Sequence, residues 1–228
     1  MSKMSKIKVG IIGIGNCAKS LVEGIQYYKA NPEDKVGLMY DTIGGYTVNE
    51  IEFVVGFDVD RRKVNKPLVD ALRAAPNCAM DHVEEILENG SNTAGCIKKG
   101  AMVYSGPELD GVAPHMLDYP EEVSFRTGAE AAKSFDDIVN IVKDTEVDVL
   151  INYAPVGSEK LSKFYIDVAL KAGVHFVNCI PTVISTKDTK RIEQKFIDAG
   201  LTIVGSDMRS DWGASRLSEV LQGAMIDS

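Results

Sequence analysis

The chain has 228 residues, 45% of them hydrophobic and 25% charged, with a net charge of −8. This is an ordinary globular mix that excludes a disordered or collagen-like polypeptide, and a domain of this length buries about 70% of the surface its unfolded chain exposes without disulfide or metal staples. The acidic balance argues against nucleic acid or an anionic membrane as partner but leaves room for a local phosphate pocket, and no apolar run approaches the ~20 residues of a membrane span.

Residues 1–6 pass straight into a strand-like run at 7–12. Neither the apolar stretch nor the small-residue cleavage site of a signal peptide follows, so a cytoplasmic protein is expected. The first helix follows, with Ala18, Leu21, Val22 and Ile25 as its apolar face. Further strands are expected at 51–57, 101–105, 147–153, 174–179 and 201–205. All six runs are short, rich in Val and Ile and continuously apolar, as in parallel strands covered on both faces. Ser134 and Asp137 open a helix whose buried face is Ile138, Ile141 and Val142. In the next helix Leu161, Phe164, Tyr165, Val168, Ala169 and Ala172 fall on one face, with Ser158 placed to cap it and Gly173 to end it. Residues 27–50 form a polar, glycine-containing insertion, and 76–127, apart from the third strand, read as irregular segments with short helices. The chain closes on a stripe of Leu217, Val220, Leu221, Ala224 and Met225, which must either fold back on the sheet or mediate self-association. Six strands with intervening helices predict an α/β, doubly wound, mainly parallel sheet.

The strongest local signal is Gly13-x-Gly15-x-x-Ala18, which follows a strand and opens a helix. Gly13 permits a tight turn, Gly15 lets backbone amides approach a pyrophosphate, and Ala18 lets the helix lie close on the sheet. The alternative is a tight turn without ligand; with the flanking pattern, the expectation is a dinucleotide-binding Rossmann domain over residues 1–228, with insertions at about 27–50 and 76–127. Asp58, at the end of the second strand, is the expected ribose acceptor and favours NAD over NADP. It lies 43 residues beyond Gly15 rather than about 20, a difference the first insertion absorbs. Arg61 and Arg62 are guanidinium groups close enough in sequence to admit a 2′-phosphate, and Asp58-x-Asp60 also reads as a helix cap.

Other chemistry has less support. His82, His115 and His175 are far apart, and Cys78-x-x-x-His82 has no second pair, so no zinc site is expected. Cys17, Cys78, Cys96 and Cys179 show no CxxC or framework spacing and are expected to be reduced thiols. No G-x-S-x-G elbow occurs.

Several linked motifs name a family. Gly13-x-Gly15-Asn16-Cys17-Ala18-x-Ser20-Leu21-Val22-x-Gly24 and Phe57-Asp58-Val59-Asp60-x-x-Lys63-Val64 strongly resemble inositol-3-phosphate synthase of the bacterial and archaeal type. So do Gly106-Pro107-x-Leu109-Asp110-Gly111 and Asp148-Val149-Leu150-x-x-Tyr153-x-Pro155-Val156-Gly157-Ser158-Glu159. Phe176-Val177-Asn178-x-x-Pro181 and Ile203-Val204-Gly205-x-Asp207 continue the match in order. The resemblance covers essentially the whole chain.

It implies NAD as cofactor and a redox-neutral conversion of D-glucose 6-phosphate to 1D-myo-inositol 3-phosphate, a step toward inositol and phospholipid. In that family C5 of the open-chain sugar is oxidised, an enolate forms and attacks C1, and the resulting ketone is reduced. Carried over by the motifs, the cofactor contacts fall on Gly13, Gly15, Asn16, Cys17 and Asp58, and on Tyr153, Ala154, Pro155 and Asp207. The strand ends around 153–158 and 178–182 would face the nicotinamide. No catalytic residue is assigned. Where the family carries Gly-Asp-Asp-x-Lys-Ser, this chain reads Gly205-Ser206-Asp207-Met208-Arg209-Ser210, followed by Asp211 where glutamine or glycine is common. Arg209 keeps the charge but cannot titrate. The family's catalytic lysines and tetramer-forming sheet belong to a second domain that these 228 residues do not include. Two alternatives therefore stay open: an NAD-dependent dehydrogenase of another substrate, and a non-catalytic NAD-binding module that works with a partner chain.

Overall fold

A computed structural model of the chain describes residues 5–80, 95–112, 114–128, 132–182, 184 and 190–205. Strands β1 (Ile7–Ile12), β2 (Ile51–Asp58), β3 (Val103–Ser105), β4 (Val149–Asn152), β5 (His175–Asn178) and β6 (Ile203–Gly205) alternate with helices α1 (Asn16–Ala30), α2 (Leu68–Arg73), α3 (Phe135–Asp144), α4 (Glu159–Ala172) and α5 (Lys190–Asp198). The six strands form one sheet in the order β3-β2-β1-β4-β5-β6, and every neighbouring pair is parallel. This is the doubly wound arrangement expected from the sequence, with its reversal of strand order between β1 and β4.

Strand pleating divides the core. Val9 and Ile11 of β1, with Phe53 of β2, pack under α1 and α2. Ile12, Phe57 and Leu150 point the other way, into α3, α4 and α5. Both faces of the central strands are thus buried, which is why their sequences read as continuous apolar runs. Among the described residues no helix is long and apolar enough to cross a membrane.

Helix ends follow local chemistry, with one exception. Ser134 caps α3 through a reciprocal box with Asp137, and Gly173 ends α4 in the left-handed region at φ +80°. Ser158, the expected cap of α4, does not bond the helix amides; its hydroxyl donates to the Pro155 carbonyl at 2.5 Å. Asp110, from the loop after β3, takes that role, accepting from the Lys160 amide at 2.8 Å and the Leu161 amide at 3.0 Å. A cap supplied from so far along the chain leaves no local sequence signature.

Helix α1 runs to Ala30, so the first irregular segment begins at Asn31 rather than at 27. It ends in a capping box between Thr47 and Glu50 that leads into β2. The apolar stripe at 217–225 lies outside the described residues.

Replacing Asp110 with Ala should lower stability by about 0.5–2 kcal/mol, the usual worth of a helix cap. Partial burial pushes the Asp110 carboxyl up, but the two amide bonds outweigh it and hold it below its ordinary value. Its contribution is therefore present above pH ~4 and is lost as pH falls through the lower folded-state value. Denaturant titrations of both proteins at pH 7 and pH 3 should show the difference at pH 7 and its narrowing at pH 3.

Candidate functional site

A cleft with about 800 Å³ of empty space, part of it open to solvent, lies at the carboxyl ends of β1, β2 and β4. Gly13, Gly15, Asn16, Asp58, Tyr153, Ala154 and Pro155 all line it. Cys17 is exposed beside it without lining it, and Asp207, Arg209 and Asp211 lie outside the described residues.

The two loop glycines answer different demands. Gly13 has φ +83°, and a Cβ there would sit 2.7 Å from the Tyr153 carbonyl oxygen. Its amide donates to the Phe57 carbonyl at 2.8 Å, which ties the turn to β2. A Cβ at Gly15, by contrast, would meet nothing within 4 Å, and its backbone is extended. Packing within the protein does not require glycine there. Gly15 stands at the N-terminus of the 15-residue α1, which no side chain caps and whose first turn carries no acid. Free helix amides and the positive end of the dipole therefore open on the cleft, an arrangement that accepts an anion such as a pyrophosphate. Ala18 is fully buried against the sheet, as expected.

Asp58 lines the cleft and also organises it. Its Oδ2 accepts from the Ile14 amide at 2.7 Å, and its Oδ1 accepts from the Val59 and Asp60 amides at 2.7 and 2.8 Å. Most of its acceptor capacity is already in use, and what remains is chiefly on Oδ2. Residues 61–65 form turns rather than a helix, so Asp60 is no helix cap. It is a buried anchor for Arg62, accepting from Nε at 2.8 Å and Nη2 at 2.5 Å. Burial pushes the Asp60 carboxyl up, but its bonds to Arg62 and the Arg126 amide leave it below its ordinary value. Nη1 donates to the Glu121 carbonyl and Nη2 also to the Ser124 carbonyl, so four of the five guanidinium N–H groups are committed within the protein. Arg61 pairs with Glu121 at the surface, where such a bond adds little.

Beneath the glycine turn lies a polar support that sequence reasoning missed. Lys63 is buried and donates to the Ile14 carbonyl at 2.7 Å and to Asn77 Oδ1 at 2.8 Å. Burial lowers its pKa, while Asp58 and Asp60 oppose that shift. Asn77 also donates to the Ile14 carbonyl, and Asn16 Oδ1 accepts the Cys78 and Ala79 amides. Lys63 stands within a quoted motif, but a lysine in sequence gives no sign that it is buried, and residues 76–79 carried no signal.

On the β4 side the Tyr153 amide bonds the Ile12 carbonyl at 2.8 Å. Burial pushes the Tyr153 phenol up, and the Cys179 and Cys17 thiols add to the shift. Behind it, buried Asn152 donates to Ser162 Oγ and Asn178 Oδ1, and Asn178 in turn donates to the Ile180 and Thr182 carbonyls. This amide ladder fixes the ends of β4 and β5 relative to each other. Among the described residues no group of three His, Cys, Asp or Glu could hold a metal ion.

No family model matches the chain. Curated sequences do. The inositol-3-phosphate synthase of Corynebacterium glutamicum is 40% identical over 219 residues, which is 95% of this chain and 54% of that protein. The enzyme of the same name from Mycolicibacterium smegmatis is 39% identical over 218 residues, with the same coverage. The chain thus spans about half the length of the curated relatives it matches. Among solved structures, Ari2 superposes with a TM-score of 0.73 at 26% identity, over 98% of this chain and 60% of that one. A myo-inositol-1-phosphate synthase-related protein from Thermotoga maritima gives a TM-score of 0.62 over 89% of this chain and 55% of its own, and at 17% identity speaks for the fold alone. The chain is therefore related, along 95% of its length, to the inositol-3-phosphate synthases, the family its motifs resemble.

Proposed function

We propose that these residues bind NAD(H) in the cleft and form the nucleotide-binding part of an inositol-3-phosphate synthase, which converts D-glucose 6-phosphate to 1D-myo-inositol 3-phosphate. The observation that carries the reading is the open space over Gly15 at the uncapped end of α1. Packing does not demand glycine there, whereas a phosphate approaching the backbone does. Asp58 supplies the ribose acceptor, and its negative charge repels a 2′-phosphate. The clasp on Arg62 removes the nearest group that would offset that repulsion. Tyr153, Ala154 and Pro155 wall the same cleft, and Asn178 holds the 180–182 backbone, so both strand ends are preorganised on the nicotinamide side. When bound, NAD supplies an acceptor that takes a hydride and returns it, which makes the overall reaction redox-neutral. Contact with Asp207 is proposed from the motif alone, as is a role for Arg209 in holding the sugar phosphate.

The two glycines should separate under substitution. Gly15→Ala should change stability by no more than about 0.5 kcal/mol, as at other unpacked positions, yet lower NADH affinity at least tenfold by filling the phosphate approach. Gly13→Ala should lower the melting temperature sharply, because the Cβ meets backbone. Thermal melts and NADH titrations of both variants check this; unchanged NADH affinity in Gly15→Ala would refute the phosphate assignment.

Asp58→Asn keeps the shape of the side chain, removes its charge and turns one oxygen that accepts a turn amide into a donor, so thermal melts of the variant accompany its binding measurements. NADH binding should weaken by about 1.5–3 kcal/mol, the worth of a charge-assisted hydrogen bond, and the preference over NADPH should narrow. Fluorescence titration with both nucleotides measures the two effects.

Residues 1–228 by themselves should bind NAD but make inositol phosphate far more slowly than the 1–10³ s⁻¹ of ordinary enzymes. Stabilising an enolate requires positive charge close to the sugar, and losing a single preorganised donor costs 10²–10³-fold. The check is an assay for inositol monophosphate after incubation with glucose 6-phosphate and NAD⁺. Turnover in the ordinary range would place the catalytic groups within these residues, whereas steady NADH accumulation with another alcohol would favour a dehydrogenase.

A further inference from the structure

Tyr165 projects from α4 into an aromatic cluster, with ring centroids 5.6 Å from Phe57 and 5.3 Å from Phe164. Only 1% of the residue is exposed, yet it lines the nucleotide cleft together with Asp58 and Gly106. A Cβ at Gly106 would lie 2.6 Å from the Tyr165 hydroxyl and 3.9 Å from the Asp58 carbonyl oxygen. The hydroxyl is thus on the Asp58 side of the cleft, against the loop after β3.

Other polar groups at this depth are bonded. Asn152, Ser162 and Asn178 satisfy one another and the backbone around them. The Tyr165 hydroxyl bonds none of the described residues and instead opens on the cleft, where no enclosed polar side-chain atom is left without a partner. The cluster needs the ring, and phenylalanine would supply that ring equally well, so packing does not account for the hydroxyl. The hydroxyl is explained if its partner is a ligand.

Position and chemistry narrow that ligand. Asp58 is an acceptor with little capacity left, whereas a ribose diol presents two donors and two acceptors. A phenol both donates and accepts, so it meets the part of the diol that Asp58 leaves unmatched. Burial and the Asp58 charge push the phenol up, which keeps it protonated and able to donate at neutral pH.

We propose that the Tyr165 hydroxyl hydrogen-bonds an adenosine-ribose hydroxyl of the bound dinucleotide, beside Asp58. The inference rests on the nucleotide reading given above and adds to it a contact from α4.

The test compares the protein with its Tyr165→Phe variant in two measurements. Thermal melts without ligand should give the variant an essentially unchanged melting temperature, since the hydroxyl bonds none of the described residues. Calorimetric titrations use NADH, ADP, 2′-deoxy-ADP and 3′-deoxy-ADP. The variant should bind NADH and ADP about 3- to 10-fold more weakly, the size of one neutral hydrogen bond. For one of the two deoxy nucleotides that loss should disappear, because the ribose partner is already gone. Equal NADH affinity in both proteins overturns the proposal, as does the same loss for all three ADP ligands. A lower melting temperature with unchanged affinity overturns it too, by assigning the hydroxyl to the fold. If the unaltered protein binds neither NADH nor ADP, the nucleotide reading itself fails and takes this inference with it; binding by the unaltered protein with no effect of Tyr165→Phe leaves that reading standing.

Discussion

The Ile14 amide meets the Asp58 carboxylate at 2.7 Å, and the other carboxylate oxygen takes the Val59 and Asp60 amides. One side chain thereby fixes the turn after β1 to the turn after β2. The Gly13 amide makes a second tie, to the Phe57 carbonyl, and Lys63 with Asn77 grips the Ile14 carbonyl from below. With its amide and carbonyl both held, Ile14 sets the direction in which Gly15 and the first turn of α1 point. The orientation of the anion-accepting helix end is thus set by bonds from β2 and its following loop as much as by the glycine motif.

The same economy runs around the cleft. Asp110 carries the loop after β3 onto the first turn of α4, and Arg62, at Glu121 and Ser124, with Asp60, at Arg126, holds residues 121–126 on the loop after β2. Segments that lack regular structure are placed by charged side chains whose partners are mainly backbone groups. Such bonds hold a loop while leaving its other side chains, Phe125 and Pro107 among them, to line the cleft.

How far the sequence discloses this depends on the range of each interaction. The strands were legible because burial on both faces writes a continuous apolar run, and the cap of α3 because Ser134 and Asp137 are three residues apart. The glycine turn was legible because Gly13 and Gly15 are adjacent to the strand and helix they join. The support was not. Lys63 reaches Ile14, Asp110 reaches Lys160 and Tyr165 reaches the cleft through the fold, with nothing at a fixed offset to mark the partner. Ser158 misled for the same reason: it has the right chemistry at the right offset, but its hydroxyl is spent on Pro155. Asp207 and the closing apolar stripe fall outside the described residues.

The clasp between Asp60 and Arg62 bears on how this cleft would change over evolutionary time. In many dinucleotide folds a shift toward a phosphorylated ribose needs only the loss of one carboxylate and the turning of a nearby arginine. Here the arginine is committed: Asp60 accepts from Nε and Nη2, the Ser124 carbonyl also from Nη2, and the Glu121 carbonyl from Nη1. Freeing it would strip a buried carboxylate of its counterion and release the Glu121 and Ser124 carbonyls, so neutralising Asp58 alone gains no cation. On the nucleotide reading proposed above, cofactor choice would be coupled to the integrity of this loop, and a path to the other nucleotide would have to recruit positive charge from elsewhere or cross a less stable intermediate.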